Sequence, residues 1–145
     1  MTQSSLPART LTLVRHAHAE WPGYTGRDFD RPLTPRGLRD ALATARAIKA
    51  AGLRPAVLLS SPARRTRDTA MILARELGLG EEALRFEERL YNASADGLEA
   101  VARETAGNCD HVMVVAHNPG ISEVARRLAD AEAPLKPAGW VSARL

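Results

Sequence analysis

The chain carries three short apolar runs that alternate with segments whose apolar residues recur every three or four positions. The runs cover residues 11–14, 56–59 and 112–116, and valine and leucine dominate them with little polar alternation. Runs of this length and composition are typical of parallel strands that are buried on both faces of a sheet. The intervening periodicity is that of amphipathic helices. The pattern therefore predicts an α/β fold, a three-layer α/β/α sandwich around a mostly parallel sheet.

The helical periodicity predicts four helices, and the chain ends in a segment that predicts a further strand. The apolar stripes of the helices lie within residues 38–48, 63–77, 98–105 and 121–128. Residues 140–145 read as a final, short strand. Three helices are preceded by a capping residue and a proline, at Thr34-Pro35, Ser61-Pro62 and Asn118-Pro119, and this arrangement is typical of helix N-termini.

Length and composition limit the class of protein. A chain of 145 residues with 45% hydrophobic residues predicts one folded domain over residues 1–145 and excludes intrinsic disorder. The single cysteine, Cys109, excludes a disulfide framework and a multi-cysteine zinc site. Because the sequence has neither an apolar run of about 20 residues nor a signal peptide, we expect a cytoplasmic protein with no membrane partner.

The charge balance says less about the partner of this protein than length and composition say about its class. The net charge is +3, and 18 of the 20 basic residues are arginine. This charge is modest for a nucleic-acid binder and is not gathered into one tract, so no nucleic-acid partner is predicted. The arginine surplus has two interpretations, genome composition or the bidentate binding of an oxyanion by some of these side chains.

Histidines and arginines follow the three predicted strands. Arg15 and His16 come after the first run, His117 comes after the third, and S-P-A-R-R-T-R-D-T-A follows the second. The carboxyl ends of parallel strands share one edge of a sheet, where ligands of such folds bind. Helix N-termini at that edge favour an anion. The sequence therefore predicts an anion site built from these side chains.

Four motifs of this chain resemble those of the histidine phosphatase superfamily, whose fold is that of phosphoglycerate mutase. They are R-H-A-H-A, P-L-T-P-R-G, S-P-A-R-R-T-R-D-T-A and H-N-P-G, and they run from residue 15 to residue 120. Thr66 and Asp68 replace the alanine and glutamine that are usual in the third motif. The short chain and H-N-P-G are similar to the small branch that includes protein phosphohistidine phosphatases.

The resemblance implies a role for each residue of these motifs. His16 would be the nucleophile that forms a phosphohistidine intermediate, and its neighbour Arg15 would discourage protonation of the imidazole. Arg15, Arg65 and His117 would surround the phosphoryl oxygens, and Asn118 would contact the substrate. With these groups present, neither a cofactor nor a metal ion is expected.

The resemblance in the third motif also distinguishes Arg65 from the neighbouring arginines. The arginine of the family motif is the fourth residue after the serine of S-P, and in this chain that residue is Arg65. Arg64 and Arg67 are expected on the solvated face of the helix. Glu88 aligns with the glutamate that protonates a leaving oxygen in mutase-like members, although a surface carboxylate is an equal interpretation. His18 is expected beside the site or in solvent.

The long connection between the first strand and the first helix is the remaining feature. Residues 19–31 contain Trp21, Tyr24 and Phe29 and are expected either to form a wall at the mouth of the pocket or to be a plain surface loop.

Together these features predict a phosphatase that acts through His16 and releases inorganic phosphate. The favoured substrate is a phosphorylated protein, and the function is that of a protein phosphohistidine phosphatase. One alternative is a phosphomonoesterase or mutase that acts on a small phosphorylated metabolite. Another is a non-catalytic module that binds phosphate or nucleic acid.

Overall fold

The computed structural model describes residues 9–21, 25–107 and 109–145. Its centre is a five-stranded sheet in the order β3-β2-β4-β1-β5. The strands are β1 (Thr10–Arg15), β2 (Val57–Ser60), β3 (Leu84–Phe86), β4 (His111–Ala116) and β5 (Trp140–Arg144). Four of them are parallel, and β5 runs antiparallel to β1 at one edge. The prediction of a mostly parallel sheet is therefore confirmed.

Helices cover both faces of the sheet. They are α1 (Pro35–Ala50), α2 (Arg64–Glu76), α3 (Ala95–Ala106) and α4 (Gly120–Ala129). Successive residues of β4 point to opposite faces: Val112 and Val114 pack with α3 and α4, while Met113 and Val115 pack with α1 and α2. Because both faces are covered, β4 is apolar from Val112 to Ala116, and the predicted three-layer α/β/α arrangement is confirmed.

The third strand is the element that the hydrophobic pattern did not predict. Strand β3 has only three residues, and two of them, Arg85 and Phe86, are exposed at the edge of the sheet. A short edge strand has no continuous apolar run, because only one of its sides is packed against a neighbour. The final segment, in contrast, forms the predicted strand, as β5.

Of the three predicted helix caps, one is right and two are wrong. The hydroxyl of Thr34 accepts a hydrogen bond from the backbone N–H of Gly37 and caps α1. Helices α2 and α4 begin instead after Ala63 and Pro119. The side chains of Ser61 and Asn118 do not cap these helices, because they make other contacts that are described below.

Within the described residues, none of the helices has both the length and the apolar character that crossing a lipid bilayer requires.

Candidate active site

The register of two central strands brings His16 and His117 together. Arg15, the last residue of β1, pairs with Ala116, the last residue of β4. His16 directly follows the end of β1 and His117 directly follows the end of β4, so both residues lie at the same edge of the sheet. Their ring centroids lie 5.5 Å apart. His16 and His117, which are 101 positions apart in the sequence, thus meet because parallel strands end together.

The hydrogen bond of His16 determines which of its ring nitrogens is free. Nδ1 of His16 lies 2.8 Å from the backbone oxygen of Ala17. A carbonyl oxygen only accepts, so Nδ1 must carry the proton and Nε2 keeps its lone pair. Burial, together with the positive charges of Arg65, Arg15 and Arg31, lowers the pKa of His16 to about 4. The ring is therefore neutral at neutral pH, and Nε2 is available as a nucleophile.

Arg65 is almost fully buried, with 4% of its surface exposed. It lies in the first turn of α2, and Asp28 holds its guanidinium in place. One terminal nitrogen donates to the backbone oxygen of Asp28 at 2.8 Å, and the other donates to Oδ2 of the same residue at 3.1 Å. Nε of Arg65 is buried and has no partner within the described residues.

Asp28 also binds two further side chains of the site. Arg31 donates from Nε to its Oδ1 at 2.9 Å, and the hydroxyl of Tyr91 donates to its Oδ2 at 2.7 Å. Burial alone raises the pKa of Asp28, but hydrogen bonds from Tyr91 and Arg31 and the charges of Arg65 and Arg31 outweigh it and hold the pKa at about 2. Asp28 is therefore an ionised anchor and not a proton donor near neutral pH.

His117 is buried, with 4% of its surface exposed, and it contacts Ser61. Nε2 of His117 lies 2.8 Å from the hydroxyl oxygen of Ser61, while Nδ1 is buried and has no partner within the described residues. The ring of Tyr91 packs edge-on against the imidazole at 5.7 Å between centroids. Burial and the nearby charges of Arg65 and His16 lower the pKa of His117 to about 3.

Arg15 reaches the site from the end of β1. One terminal nitrogen donates to the backbone oxygen of Leu135 at 3.0 Å, and its Nε is buried without a partner within the described residues. Burial lowers the pKa of this guanidinium. Removing a cation from water is unfavourable, so the site is arranged for an anion that would compensate it.

These side chains surround one cavity of about 330 Å³, whose volume is within the range of small-ligand sites. Its described lining is Arg15, His16, His18, Ala19, Glu20, Trp21, Arg31, Arg65, Asn92, His117, Asn118 and Pro137. Among these residues, Glu20 is the only carboxylate. The cavity therefore combines three guanidinium groups with the neutral imidazoles of His16 and His117, and Nε2 of His16 is free; this composition is suited to a phosphoryl group.

Five of the six predicted site residues come together in this cavity, and one does not. Arg15, His16, Arg65, His117 and Asn118 line it, as the preceding list gives. Glu88 lies in a short turn, Glu88–Leu90, where its side chain is exposed and is not among the residues that line the cavity.

Of the other residues that the sequence singled out, two arginines lie away from the cavity and one histidine lies beside it. Arg64 and Arg67 lie on the exposed face of α2, as predicted, and Arg64 pairs with Asp68. His18 is half-buried beside the site, where its Nδ1 is hydrogen-bonded to the hydroxyl of Thr34 at 2.8 Å.

The connection of residues 19–31 contributes to the wall of the cavity. Trp21 lines the cavity and is 75% exposed. Phe29 packs edge-on against Tyr91 instead. Tyr24, which was expected in the same wall, lies outside the described residues.

Sequence reasoning missed Arg31, Asp28 and Tyr91. Arg31 directly precedes P-L-T-P-R-G, and Asp28 lies three positions before Arg31. Both residues belong to the connection of residues 19–31, for which only a wall of the pocket or a plain surface loop was predicted. The signal that could have found them is charge pairing: an acidic residue three positions before an arginine, next to a motif of the site. In the structure the pair Asp28–Arg31 links the connection to Arg65 on α2.

Within the described parts of the chain, no group of three or more histidine, cysteine, aspartate or glutamate side chains is arranged to hold a metal ion. The carboxylate nearest to the arginines, Asp28, is occupied by Arg31, Arg65 and Tyr91.

Comparison with known proteins identifies the family of this chain and supports its fold. Residues 11–106 match the model of the histidine phosphatase superfamily (branch 1). An uncharacterised chloroplast protein of Arabidopsis thaliana is 34% identical over 137 residues, which are 89% of this chain and 63% of that protein. The chain thus spans less than two thirds of the length of this relative. The chain belongs to the histidine phosphatase superfamily.

Two solved structures indicate the branch. The proposed phosphohistidine phosphatase SixA of Agrobacterium tumefaciens has a TM-score of 0.83 at 27% identity, over 95% of this chain and 92% of that one. The proposed phosphohistidine phosphatase SixA of Nakamurella has a TM-score of 0.72 at 30% identity, over 96% of this chain and 86% of that one. Within the superfamily, these structural neighbours are of the SixA type.

Proposed function

We propose that residues 1–145 form a single histidine phosphatase domain that hydrolyses a phosphorylated substrate, most specifically a phosphohistidine side chain of another protein. The observation that carries this proposal is the set of unpartnered buried nitrogens. Within the described residues, the buried side-chain atoms without a hydrogen-bond partner are Nε of Arg15, Nε of Arg65 and Nδ1 of His117. All three belong to residues that line the cavity with His16. Buried donors are almost always satisfied in proteins, so their concentration here supports a bound oxyanion.

In the first step, Nε2 of His16 attacks phosphorus. A nitrogen–phosphorus bond forms on His16 while the bond from phosphorus to the leaving group breaks. The leaving group departs with the electron pair of that bond, and a phosphohistidine that already carries a proton on its distal ring nitrogen departs as a neutral imidazole. Arg15, Arg65 and Arg31 stabilise the negative charge on the three transferring oxygens.

In the second step, water attacks the phosphohistidine. The nitrogen–phosphorus bond breaks, the electron pair returns to Nε2, and inorganic phosphate leaves. The positive charge that a metal ion supplies in other phosphoryl-transfer enzymes would come from the guanidinium groups, so we expect chelation of divalent metals to leave the rate unchanged.

Trapping the intermediate tests this mechanism. A phosphorylated substrate labelled on phosphorus should transfer its label to the wild-type protein in an acid-labile and base-stable form, and His16→Ala should remain unlabelled. His18→Ala is the matched control, because His18 lines the same cavity but has no assigned chemistry. Turnover without labelling of the wild type, or persistent turnover in His16→Ala, would contradict the proposal.

A larger cavity beside the first supports a protein as the substrate. It has a volume of about 820 Å³ and shares Asn92 and Asn118 with the site. The remainder of its lining comes from the beginning of α3, from α4 with the proline before it, and from residues 131–134; alanine and proline make up half of these residues, and the polar ones are Ser94, Ser122, Glu123, Arg126 and Glu132. We call it the side groove. A polypeptide with apolar side chains next to the phosphorylated residue suits such a surface better than a small and highly polar metabolite does.

Ala133 offers a direct test of the side groove. It is exposed and lines the groove, so Ala133→Arg should raise KM for a phosphohistidine-bearing protein about tenfold while hydrolysis of free phosphohistidine is unchanged. Ala47→Arg, an exposed position on α1 at the other face of the sheet, is the control. If Ala133→Arg leaves KM for the phosphohistidine-bearing protein unchanged, a protein substrate bound in the side groove is contradicted. If the wild type hydrolyses a small phosphomonoester faster than it hydrolyses the phosphohistidine-bearing protein or free phosphohistidine, the metabolite alternative is favoured.

The exposed position of Glu88 gives no support to the mutase-like alternative. A phosphohistidine leaving group needs no enzyme carboxylate if its distal ring nitrogen is protonated, because it then departs as a neutral imidazole. We therefore expect Glu88→Gln to hydrolyse phosphohistidine at the wild-type rate.

A further inference from the structure

Ser61 contacts the site without lining its cavity. It follows β2, its surface is completely buried, and its backbone N–H donates to Val115 of the neighbouring strand β4 at 3.1 Å. Its side chain thereby lies next to His117, two residues beyond Val115. The distance of 2.8 Å from the hydroxyl oxygen to Nε2 of His117 is that of a hydrogen bond between side chains.

The direction of this hydrogen bond follows from the surroundings of the hydroxyl. The backbone N–H of Ala63 points at the same oxygen from 3.4 Å, so it donates to Ser61 and takes no proton from it. Within the described residues, the only hydrogen-bond acceptor in reach of the Ser61 proton is Nε2 of His117. Since a buried hydroxyl proton needs an acceptor, Ser61 donates and Nε2 accepts.

A neutral histidine has one proton on its ring, and the bond to Ser61 decides where it sits. If Nε2 accepts, then Nδ1 must carry the proton and becomes a donor. Nδ1 is the buried nitrogen that has no partner within the described residues. In the other tautomer, Nδ1 would present a lone pair to an oxyanion and repel it.

We propose that Ser61 is a positioning residue that fixes the tautomer of His117, so that Nδ1–H donates to a phosphoryl oxygen while the imidazole stays neutral. The structure around Ser61 is built to hold it: its backbone oxygen accepts hydrogen bonds from the hydroxyls of Ser60 and Thr66, both at 2.8 Å. Thr66 occurs where the family motif usually has alanine, so this chain has one more buried contact that holds Ser61. The benefit for phosphoryl transfer rests on the proposed function, whereas the tautomer itself does not.

The tautomer can be measured without any substrate. Heteronuclear NMR of the imidazole nitrogens distinguishes a protonated nitrogen from one with a lone pair. In the wild type we expect the proton of His117 on Nδ1, and in Ser61→Ala we expect a mixture or a shift to Nε2. Thr12→Ala is the matched control, because Thr12 is also a buried hydroxyl residue of the sheet but its hydroxyl bonds to His111 and Ser142, and the proton of His117 should stay on Nδ1. A proton on Nε2 in the wild type, or no change in Ser61→Ala, would overturn the proposal.

Two substitutions of His117 keep the test independent of the folding of Ser61→Ala. The amide nitrogen of asparagine falls near the position of Nδ1 of histidine, and that of glutamine falls near Nε2. If Nδ1–H is the donor, His117→Asn should retain on the order of tenfold more activity than His117→Gln. The reverse order would overturn the proposal. If neither variant nor the wild type has activity but the tautomer is as expected, the proposed function fails and the assignment of Ser61 stands.

Discussion

At the scale of single residues, Asp28 is the group that connects the site's cations. Its carboxylate accepts hydrogen bonds from Arg31, Arg65 and Tyr91, which come from two connections and one helix. In the free protein this carboxylate supplies the negative charge beside the buried guanidinium of Arg65. A phosphoryl group in the cavity would supply a second negative charge to the same cations.

Asp28→Asn should therefore destabilise the free protein more than the phosphate-bound protein. The loss of a charged acceptor for Arg65 should lower the free energy of unfolding by about 1 kcal/mol, since Asp28 itself is half exposed and screened. Saturating inorganic phosphate should reduce this difference, because it binds only the folded state and replaces the missing charge. Denaturant unfolding with and without phosphate measures both values.

Asp30→Asn is the control for this prediction. Asp30 pairs with Arg27 at the surface, where both side chains are at least half exposed, so its loss should change stability by less than about 0.5 kcal/mol. A destabilisation of Asp28→Asn that stays the same or grows in phosphate would contradict the anchoring role.

Sequence reasoning at this scale found the residues that belong to motifs and missed those that act through a contact. Arg15, His16, Arg65 and His117 were predicted because strand ends and motif spacing identify them. Asp28 and Tyr91 are 63 positions apart, and nothing in a single sequence indicates that the hydroxyl of one donates to the carboxylate of the other. Ser61 was predicted as a helix cap, since serine before proline is typical of caps, but its hydroxyl contacts His117.

At the scale of elements, two helices begin in the same way but differ in what they pack against. In α1 and α3, the third residue is a glycine, Gly37 or Gly97, whose backbone N–H donates to the capping hydroxyl of Thr34 or Ser94. A Cβ on Gly37 would lie 2.0 Å from the backbone oxygen of His18, whereas one on Gly97 would meet only the Ser94 hydroxyl at 3.4 Å. Glycine at position 37 thus lets α1 approach the segment that follows His16.

The two alanine variants should consequently differ in their effect on stability. Gly37→Ala should destabilise the protein by about 1–3 kcal/mol and lower the activity, because the collision is with backbone and must displace either α1 or the His18 segment. Gly97→Ala should be neutral or stabilising by up to about 1 kcal/mol, because alanine restricts the unfolded chain and is preferred in helices. Thermal unfolding and phosphatase assays of both variants measure these effects, and equal destabilisation would contradict the packing argument.

The elements themselves were mostly predictable, and each exception has its own physical cause. Buried parallel strands need apolar residues on both faces, so β1, β2 and β4 were evident from the sequence. Strand β3 was not, because three edge residues carry no such requirement. The predicted cap at Asn118 failed for the same reason as that at Ser61: its amide donates to Leu135 and its oxygen accepts from Ser122, so the side chain joins α4 to the segment before β5.

At the scale of the whole molecule, the net charge does not describe the cavity, because many of the arginines outside the cavity are paired at the surface and the charge inside it is concentrated. The net charge of +3 is small, and many arginines form ion pairs at the surface, such as Arg89 with Glu87 and Glu104. The cavity, in contrast, holds three guanidinium groups near His16 and His117. The field of these cations and the burial of the rings act on the same two titrating groups, so their effect should be visible in the stability of the entire fold.

The free energy of unfolding should depend on pH in a window that these two histidines define. Both pKa values are lowered in the folded state, that of His16 to about 4 and that of His117 to about 3, from 6.5. As the pH falls below about 6.5, the unfolded chain binds protons that the folded protein does not, so stability decreases with falling pH. Above about pH 7 neither state is protonated and this contribution is constant. The lowered pKa of Asp28 acts in the same direction, but only between about pH 4 and pH 2.

The double variant His16→Asn/His117→Asn isolates this effect from the general repulsion of positive charge at low pH. Denaturant unfolding between about pH 4.5 and pH 7.5 should show a loss of a few kcal/mol in the wild type and a much flatter profile in the double variant. Some slope should remain, because burial also lowers the pKa of His111 at the opposite end of β4. Parallel profiles for the two proteins would mean that the histidines of the cavity titrate alike in both states. In that case the neutral His16 on which the proposed nucleophile depends would lose its physical basis.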